Sequence, residues 1–217
     1  PPPHSRGHLQ RAKVPPLLGY PLSQHEGIWE NQLDTKLYPW LADHIVGGAT
    51  VFPGSGFAEI ALAAAQQWQP AQWLETEELE IRAPLLLAAS PSKRTRVTVD
   101  TSDGSMRIQA KDVGSAEPWT LHASARILRE ASDALITGAP VCGLERPYDF
   151  TTDSHALLTR AVGLDYGDAF RAVHHGWKES DDTVLAILQP ATILQDQLPR
   201  SLLHPALLDC TFQLIIQ

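Results

Sequence analysis

The chain has 217 residues, 43% of them hydrophobic and 19% charged, with 25 acidic and 17 basic side chains. That length suits one large domain or two small ones, with ample apolar material for a core. A formal charge of −8, with Lys93-Arg94 the only adjacent basic pair, excludes a phosphate-tracking nucleic-acid surface.

Two cysteines, Cys142 and Cys210, are too few for a disulfide framework or a zinc ribbon. No apolar run reaches the roughly 18–20 residues of a membrane span, and Pro1-Pro2-Pro3-His4 opens no secretory segment. The expectation is an acidic cytoplasmic protein without membrane or nucleic-acid partners.

Residues 1–16, rich in Pro, His, Arg and Gly, read as a linker into Leu17-Leu18-Gly19-Tyr20. Gly27–Leu33 reads as a strand, and Trp40–Val46 as a short apolar segment ending at Gly47-Gly48. After Val51-Phe52-Pro53, the run Phe57–Trp68 is Ala-rich and apolar on nearly every side except Glu59, which predicts a buried helix. The pattern then changes to period two. Leu79, Ile81, Ala83 and Leu85 alternate with polar residues or Pro84, Arg94–Asp100 alternates again, and Asp103-Gly104 signals a hairpin before Met106–Ala110. Trp119–Leu128 supplies another strand. One buried helix followed by several antiparallel strands implies an α+β fold with the sheet curled around the helix.

Residues 130–147 read as a connector, broken by Gly138, Pro140 and Pro147. Thr151 or Thr152 is placed to cap a helix running to about Val162, and Gly163–Gly167 reads as a turn. Ala172–Lys178 and Thr183–Leu188 alternate, and Pro205 fits the first turn of a second greasy helix. The halves 17–129 and 148–217 thus share a plan of strands and a Pro-initiated buried helix. No strands follow the second helix, so the second half is expected to be truncated at its C-terminus.

Asp209 is a carboxylate on an otherwise apolar helix. Burial disfavours its anion, and a carboxyl kept neutral is what a general acid needs. Gln213, four residues on, shares its face and is placed to orient it. The bland alternative puts Asp209 at a solvated helix end. His44 precedes the Gly-rich turn into the first helix, in the spacing His44-x-x-x-Gly48-x-x-x-x-Pro53. There it can serve as a base, with the Gly48 N–H near a bound carbonyl. Alternatively, it is a core histidine bonded to backbone.

Other candidates are weaker. His174-His175 should face opposite sides of a strand, which suits no metal; Gly54-Ser55-Gly56 is not a nucleophile elbow; Cys210 reads as a buried structural thiol. His4, His8, His25, His122 and His155 have no interpretable spacing. Nucleotide-binding Gly patterns are lacking.

These residues resemble the dehydratase domains of modular polyketide synthases, whose fold is a double hotdog. Leu41–Pro53 fits the family's HxxxGxxxxP motif through His44, Gly48 and Pro53; Gly163–Phe170 resembles GYxYGPxF; His204–Asp209 resembles HPALLD, followed by Gln213. Pro16-Leu17-Leu18-Gly19 looks like the usual opening of the domain, so the resemblance spans roughly 15–217. Leu164 replaces the second motif's first Tyr and Asp168 its Pro.

The resemblance implies loss of water from a β-hydroxyacyl thioester, carried on the phosphopantetheine arm of acyl carrier protein, to the α,β-unsaturated thioester. It makes His44 the base and Asp209 the acid. Gly48 would bind the carbonyl, Pro53 shape the His44 loop, Tyr166 with Gly167 flank the hydroxyl, and Gln213 hold Asp209. No metal or cofactor is implied. The expected partners are acyl carrier protein, neighbouring synthase domains and a second copy in a homodimer. Two other outcomes share these residues: a double-bond-shifting or oxa-cyclising relative, and a non-catalytic module that binds carrier protein. Isomerase-type relatives usually lose the acid at Asp209, so its presence favours dehydration.

Overall fold

The computed structural model describes residues 14–70, 74–128 and 145–217. Most of the expected linker, the connector over 130–144, and Cys142, His4 and His8 lie outside those residues. Pro15 and Pro16, assigned above to the linker, belong to the folded part. The Pro15 carbonyl accepts the Gly19 N–H at 3.0 Å, and the Pro16 carbonyl accepts Tyr38 Oη–H at 2.6 Å and an Asn31 Nδ2–H at 2.8 Å.

Six strands close around one alanine-rich helix. They are β1 (Tyr20–Pro21), β2 (Ile28–Leu33), β5 (Thr76–Ile81), β6 (Lys93–Val99), β7 (Ser105–Asp112) and β8 (Thr120–Ile127), in the order β1-β2-β6-β7-β8-β5 with every neighbour antiparallel. Between β2 and β5 lie the two-stranded hairpin β3 (Ile45–Val46) and β4 (Ala49–Thr50) and the helix α1 (Gly54–Trp68). Alternation turns Val97, Val99, Met106 and Ile108 inward onto Phe57, Ile60, Ala61 and Ala64 of α1. The small alanines let the sheet lie close to the helix, and each larger side chain so buried contributes roughly 1.5–3 kcal/mol.

The alternation over Leu79–Leu85 fails to set the inward face of β5. Leu79 and Ile81 are exposed on this edge strand. The pairing with β8 shifts by one residue between Glu77 and Glu80, where Glu78 has φ +53°, which breaks the strict alternation, while Ile81 stays opposite the buried Ala123.

The second half carries a three-stranded antiparallel sheet in the order β11-β10-β9: β9 (Phe150–Thr151), β10 (Val173–Ser180) and β11 (Thr183–Leu188). α2 (Thr152–Ala161) starts from a reciprocal cap: the Thr151 hydroxyl accepts the Ser154 N–H while Ser154 Oγ accepts the Thr151 N–H. The segment after it is not a simple turn. Gly163 (φ +82°) ends the helix, and the chain then runs beside the β3–β4 hairpin, with Leu164 bridged to Val46. His174 and His175 do not face opposite sides either. A register shift in β10 between Val173 and His175 brings their Nδ1 atoms to 2.6 Å.

α3 (Pro205–Gln213) has Pro205 at its first position and packs against α1. It buries Ala206, Asp209, Cys210 and Gln213 on one side, whereas Phe212 is 51% exposed, so the helix is two-sided and not buried all round. A link between the halves comes from Glu59. Its buried carboxylate, on the inward side of α1, accepts the N–H groups of Leu202 (3.0 Å) and Leu203 (2.7 Å), immediately before α3. Burial raises its pKa against the lowering effect of the two amides. Among the described residues no helix is long and apolar enough to cross a membrane.

Candidate active site

His44 follows a 3-10 turn (Pro39–Asp43) whose Trp40 and Leu41 are buried, and it leads directly into β3. Two bonds tie it to the chain beyond the hairpin. The Val51 N–H donates to the His44 carbonyl at 3.1 Å, and His44 Nδ1 lies 2.8 Å from the Val51 carbonyl. A carbonyl only accepts, so Nδ1 carries the hydrogen and the neutral ring keeps its lone pair on Nε2. The reading of His44 as a backbone-bonded core histidine is therefore true of one nitrogen and leaves the other free. The ring is 6% exposed, with Phe170 and Tyr166 ring centroids 5.0 and 5.4 Å away.

The hairpin that makes this possible turns on Gly47 and Gly48, with φ +58° and +82°. Two positive values in a two-residue loop are what a hairpin following the twist of its strands requires. A methyl group at Gly48 would meet nothing within 4 Å, so backbone conformation, not crowding, calls for glycine there. Gly48 is exposed at the hairpin tip. Pro53 stands immediately before α1 as its N-cap, and the Phe52 N–H donates to the Leu85 carbonyl at 2.8 Å, which moors the strand between His44 and the helix.

From the other half, α3 brings Asp209 Oδ1 to 3.6 Å from His44 Nε2. That is just beyond hydrogen-bond reach. The second oxygen, Oδ2, accepts a Gln213 Nε2–H at 3.0 Å, as spacing on one helical face predicts. Asp209 is 7% exposed, so the solvated helix end is set aside. Gln213 also donates to the Phe170 carbonyl at 3.1 Å. Its nitrogen thus faces two acceptors, and its oxygen must take a donor: His155 Nε2–H, at 3.1 Å. Gln217 Nε2 donates to His155 Nδ1, which makes the tautomer consistent around the ring. Burial lowers the His155 pKa and keeps that ring neutral.

Tyr166 comes from the segment beside the hairpin. Burial, then the charge of Asp209 and a hydrogen bond to it, push the phenol above its ordinary pKa, so it remains a donor. Gly167 is required by a close approach. A methyl there would lie 2.4 Å from the Asp43 carboxyl carbon. Asp43 Oδ2 accepts the Ala169 N–H at 2.9 Å, and the Asp43 carbonyl accepts the Gly167 N–H at 2.8 Å.

The pair is walled by Phe170, Tyr166 and Trp40, whose ring lies 5.9 Å from Phe170 and 4.8 Å from His204. His204 caps α3, its Nδ1 accepting the Ala206 N–H at 3.3 Å; burial pushes its pKa down to about 4. Cys210 behaves as the structural thiol expected, fully buried, its Sγ 3.4 Å from the Phe170 carbonyl and its pKa pushed up to about 12 by burial. A void of about 10 Å³ is lined by His155, Tyr166, Phe170 and Gln213. It is the size of one water, not of an acyl chain. Among the described residues no group of three His, Cys, Asp or Glu could hold a metal ion.

His44, Asp209, Tyr166 and Gln213 are therefore brought together, with Gly167 beside them and Gly48 and Pro53 shaping the loop that carries His44. Sequence reasoning missed His155, Asp43, Glu59 and the cap His204. A signal existed for His155: with Thr159 it forms the polar side of α2 that is buried, at a spacing of four.

Two family models match, "Polyketide synthase dehydratase domain" over residues 15–112 and "Polyketide synthase dehydratase N-terminal domain" over 156–217. The chain belongs to the dehydratase domains of polyketide synthases. Members of this class are hydro-lyases that dehydrate β-hydroxyacyl intermediates during polyketide elongation, and their fold is the double hotdog. Pikromycin polyketide synthase component PikAII of Streptomyces venezuelae is 32% identical over 212 residues, 91% of this chain and 6% of that protein. Polyketide synthase GfsE of Streptomyces halstedii is 30% identical over 216 residues, 94% of this chain and 6% of that protein. The dehydratase chain thus spans a small part of these multidomain relatives. Among solved structures, the dehydratase domain from the CurF module of curacin polyketide synthase superposes with a TM-score of 0.77 at 25% identity, covering 92% of this chain and 75% of that one.

Proposed function

We propose that this dehydratase domain removes water from a β-hydroxyacyl thioester delivered by acyl carrier protein, with His44 as base and Asp209 as acid. The observation that carries the assignment of roles is the Val51 carbonyl on His44 Nδ1, which fixes the hydrogen there, so that the neutral ring presents its Nε2 lone pair toward Asp209 Oδ1 at 3.6 Å. The thioester acidifies the α-carbon, so no metal or nucleotide is needed.

In this reading His44 Nε2 takes the α-proton, and the electron pair of that C–H bond becomes the new Cα–Cβ double bond as the Cβ–O bond breaks. Asp209 gives its carboxyl proton to the departing hydroxyl, which leaves as water. The imidazolium and the carboxylate then stand side by side, and passing the proton from Nε2 to Oδ1 restores both groups. A base and an acid this close serve one face of the substrate, which favours a syn elimination. Tyr166 donates to the carboxyl or to the leaving oxygen. Gln213 fixes the Asp209 rotamer. The Gly48 N–H, at the hairpin tip, and the N-terminal end of α1 supply positive potential for the enolate-like oxygen. Carrier protein, neighbouring synthase domains and a homodimer follow from the family resemblance.

The test is product analysis of the chain incubated with a 3-hydroxyacyl pantetheine thioester. Loss of one water and a conjugated alkene by proton NMR are expected. A shifted alkene or a cyclic ether would reassign the chemistry. An unchanged substrate, with or without His44→Ala, would make the domain a non-catalytic carrier-protein module.

A further inference from the structure

Asp43 precedes the base in the chain, yet its side chain is spent on the other half of the molecule. The turn Asp168–Phe170 has no side-chain cap of its own. Its free amide at Ala169 is taken by Asp43 Oδ2 at 2.9 Å, while the Asp43 carbonyl takes the Gly167 N–H at 2.8 Å. Main-chain bonds from Asp165 N–H to the Ile45 carbonyl (3.0 Å) and from Gly47 N–H to the Gly163 carbonyl (2.9 Å) lay the rest of that segment along the hairpin. Asp43 adds a side-chain hydrogen bond to this backbone seam. What it holds matters on both sides of the reacting pair: the Phe170 ring lies 5.0 Å from His44, and the Phe170 carbonyl receives the amide of Gln213, which in turn holds Asp209.

We propose that Asp43 is a positioning residue, a cap supplied from a distant segment that fixes the Tyr166–Phe170 wall against the His44–Asp209 pair. This rests on the dehydratase reading above. Gly167 is its counterpart: the backbone there (φ −83°, ψ −177°) suits any residue, and glycine is needed because a Cβ would meet the Asp43 carboxyl at 2.4 Å.

The experiment compares Asp43→Ala, Asp43→Asn and Gly167→Ala in the intact chain, by steady-state kinetics and by amide exchange at Ala169. Asp43→Ala should lower kcat about 10–100-fold, the usual range for groups that orient a site, with KM within about threefold and faster exchange at Ala169. Asp43→Asn keeps an oxygen for the Ala169 N–H and should restore kcat to within about threefold of the unaltered chain. Gly167→Ala should reproduce the Asp43→Ala loss although the carboxyl is intact, because the methyl displaces it. Wild-type kcat in Asp43→Ala or in Gly167→Ala would overturn the proposal, as would an Asn variant no better than Ala; each leaves the dehydratase reading standing. Absence of turnover in the unaltered chain would sink that reading, and this inference with it.

Discussion

The helices α1 and α3 each carry one buried carboxylate, and the two meet opposite fates. Glu59 of α1 has one oxygen on the Leu202 N–H and the other on the Leu203 N–H, so both are spent on backbone donors. Asp209 of α3 accepts from two side chains, Gln213 on Oδ2 and the Tyr166 phenol, and turns Oδ1 toward His44 Nε2, 3.6 Å away. Burial is common to both. A carboxyl becomes available for proton transfer when one oxygen is left facing a base and a space for substrate; with both oxygens saturated it becomes a structural clamp.

The largest expected contrast comes from isosteric changes at the two positions. Asp209→Asn should remove turnover, by about 10³-fold or more, with the unfolding midpoint little changed, because the amide keeps the shape and loses the proton. Glu59→Gln should do the reverse. One of two buried amide N–H groups loses its acceptor and meets an NH₂ group, at a cost of roughly 1–3 kcal/mol in urea unfolding, while most of kcat remains. A Glu59→Gln chain as dead as Asp209→Asn would abolish the distinction.

Gln213→Ala sharpens the comparison from the other side. It removes the Gln213 donor from Oδ2 of Asp209, leaves the Phe170 carbonyl with only the Cys210 thiol and takes the acceptor from His155 Nε2–H, and should cost about 10–100-fold in kcat. Tyr166→Phe removes a donor that only supplements the carboxyl and should cost less than Gln213→Ala in the same kinetic assay.

Outside turnover, the same burial predicts a pH dependence of stability. His204 titrates near 6.5 in the unfolded chain and at about 4 when folded, because burial disfavours its charged form. Between those values the unfolded chain binds more protons, so stability should be full above about pH 6.5 and fall as pH drops toward 4, by roughly 2–3 kcal/mol. The lowered values of His122 and His155, again from burial, add in the same direction. His204→Asn, which retains a cap acceptor, should flatten the slope of unfolding free energy against pH.

Much of the first half was legible because each of its signals is local. An Ala-rich run without breakers, period-two alternation in β6 and β7, and Asp103-Gly104 at the hairpin each fix an element from a few neighbouring residues. Where a bulge intervened, at Glu78 and between Val173 and His175, strict alternation broke down, since an extra residue interrupts the pairing and leaves no mark in composition. The site divides the same way. His44, Asp209 and Gln213 stood out as a polar group beside a Gly turn and two polar groups four apart on a greasy helix. Asp43, Glu59 and His155 act through partners 126, 143 and 58 residues away, a separation that no local pattern records.

The central claim is that a base from one half and an acid from the other work as a unit on one substrate. Single-turnover rates for His44→Ala, Asp209→Asn and the double variant, on a carrier-bound β-hydroxyacyl thioester followed by mass spectrometry, test it most directly. Two parts of one device predict a double variant within about threefold of the slower single variant. Losses that multiply, or either single variant turning over at the unaltered rate, would contradict it.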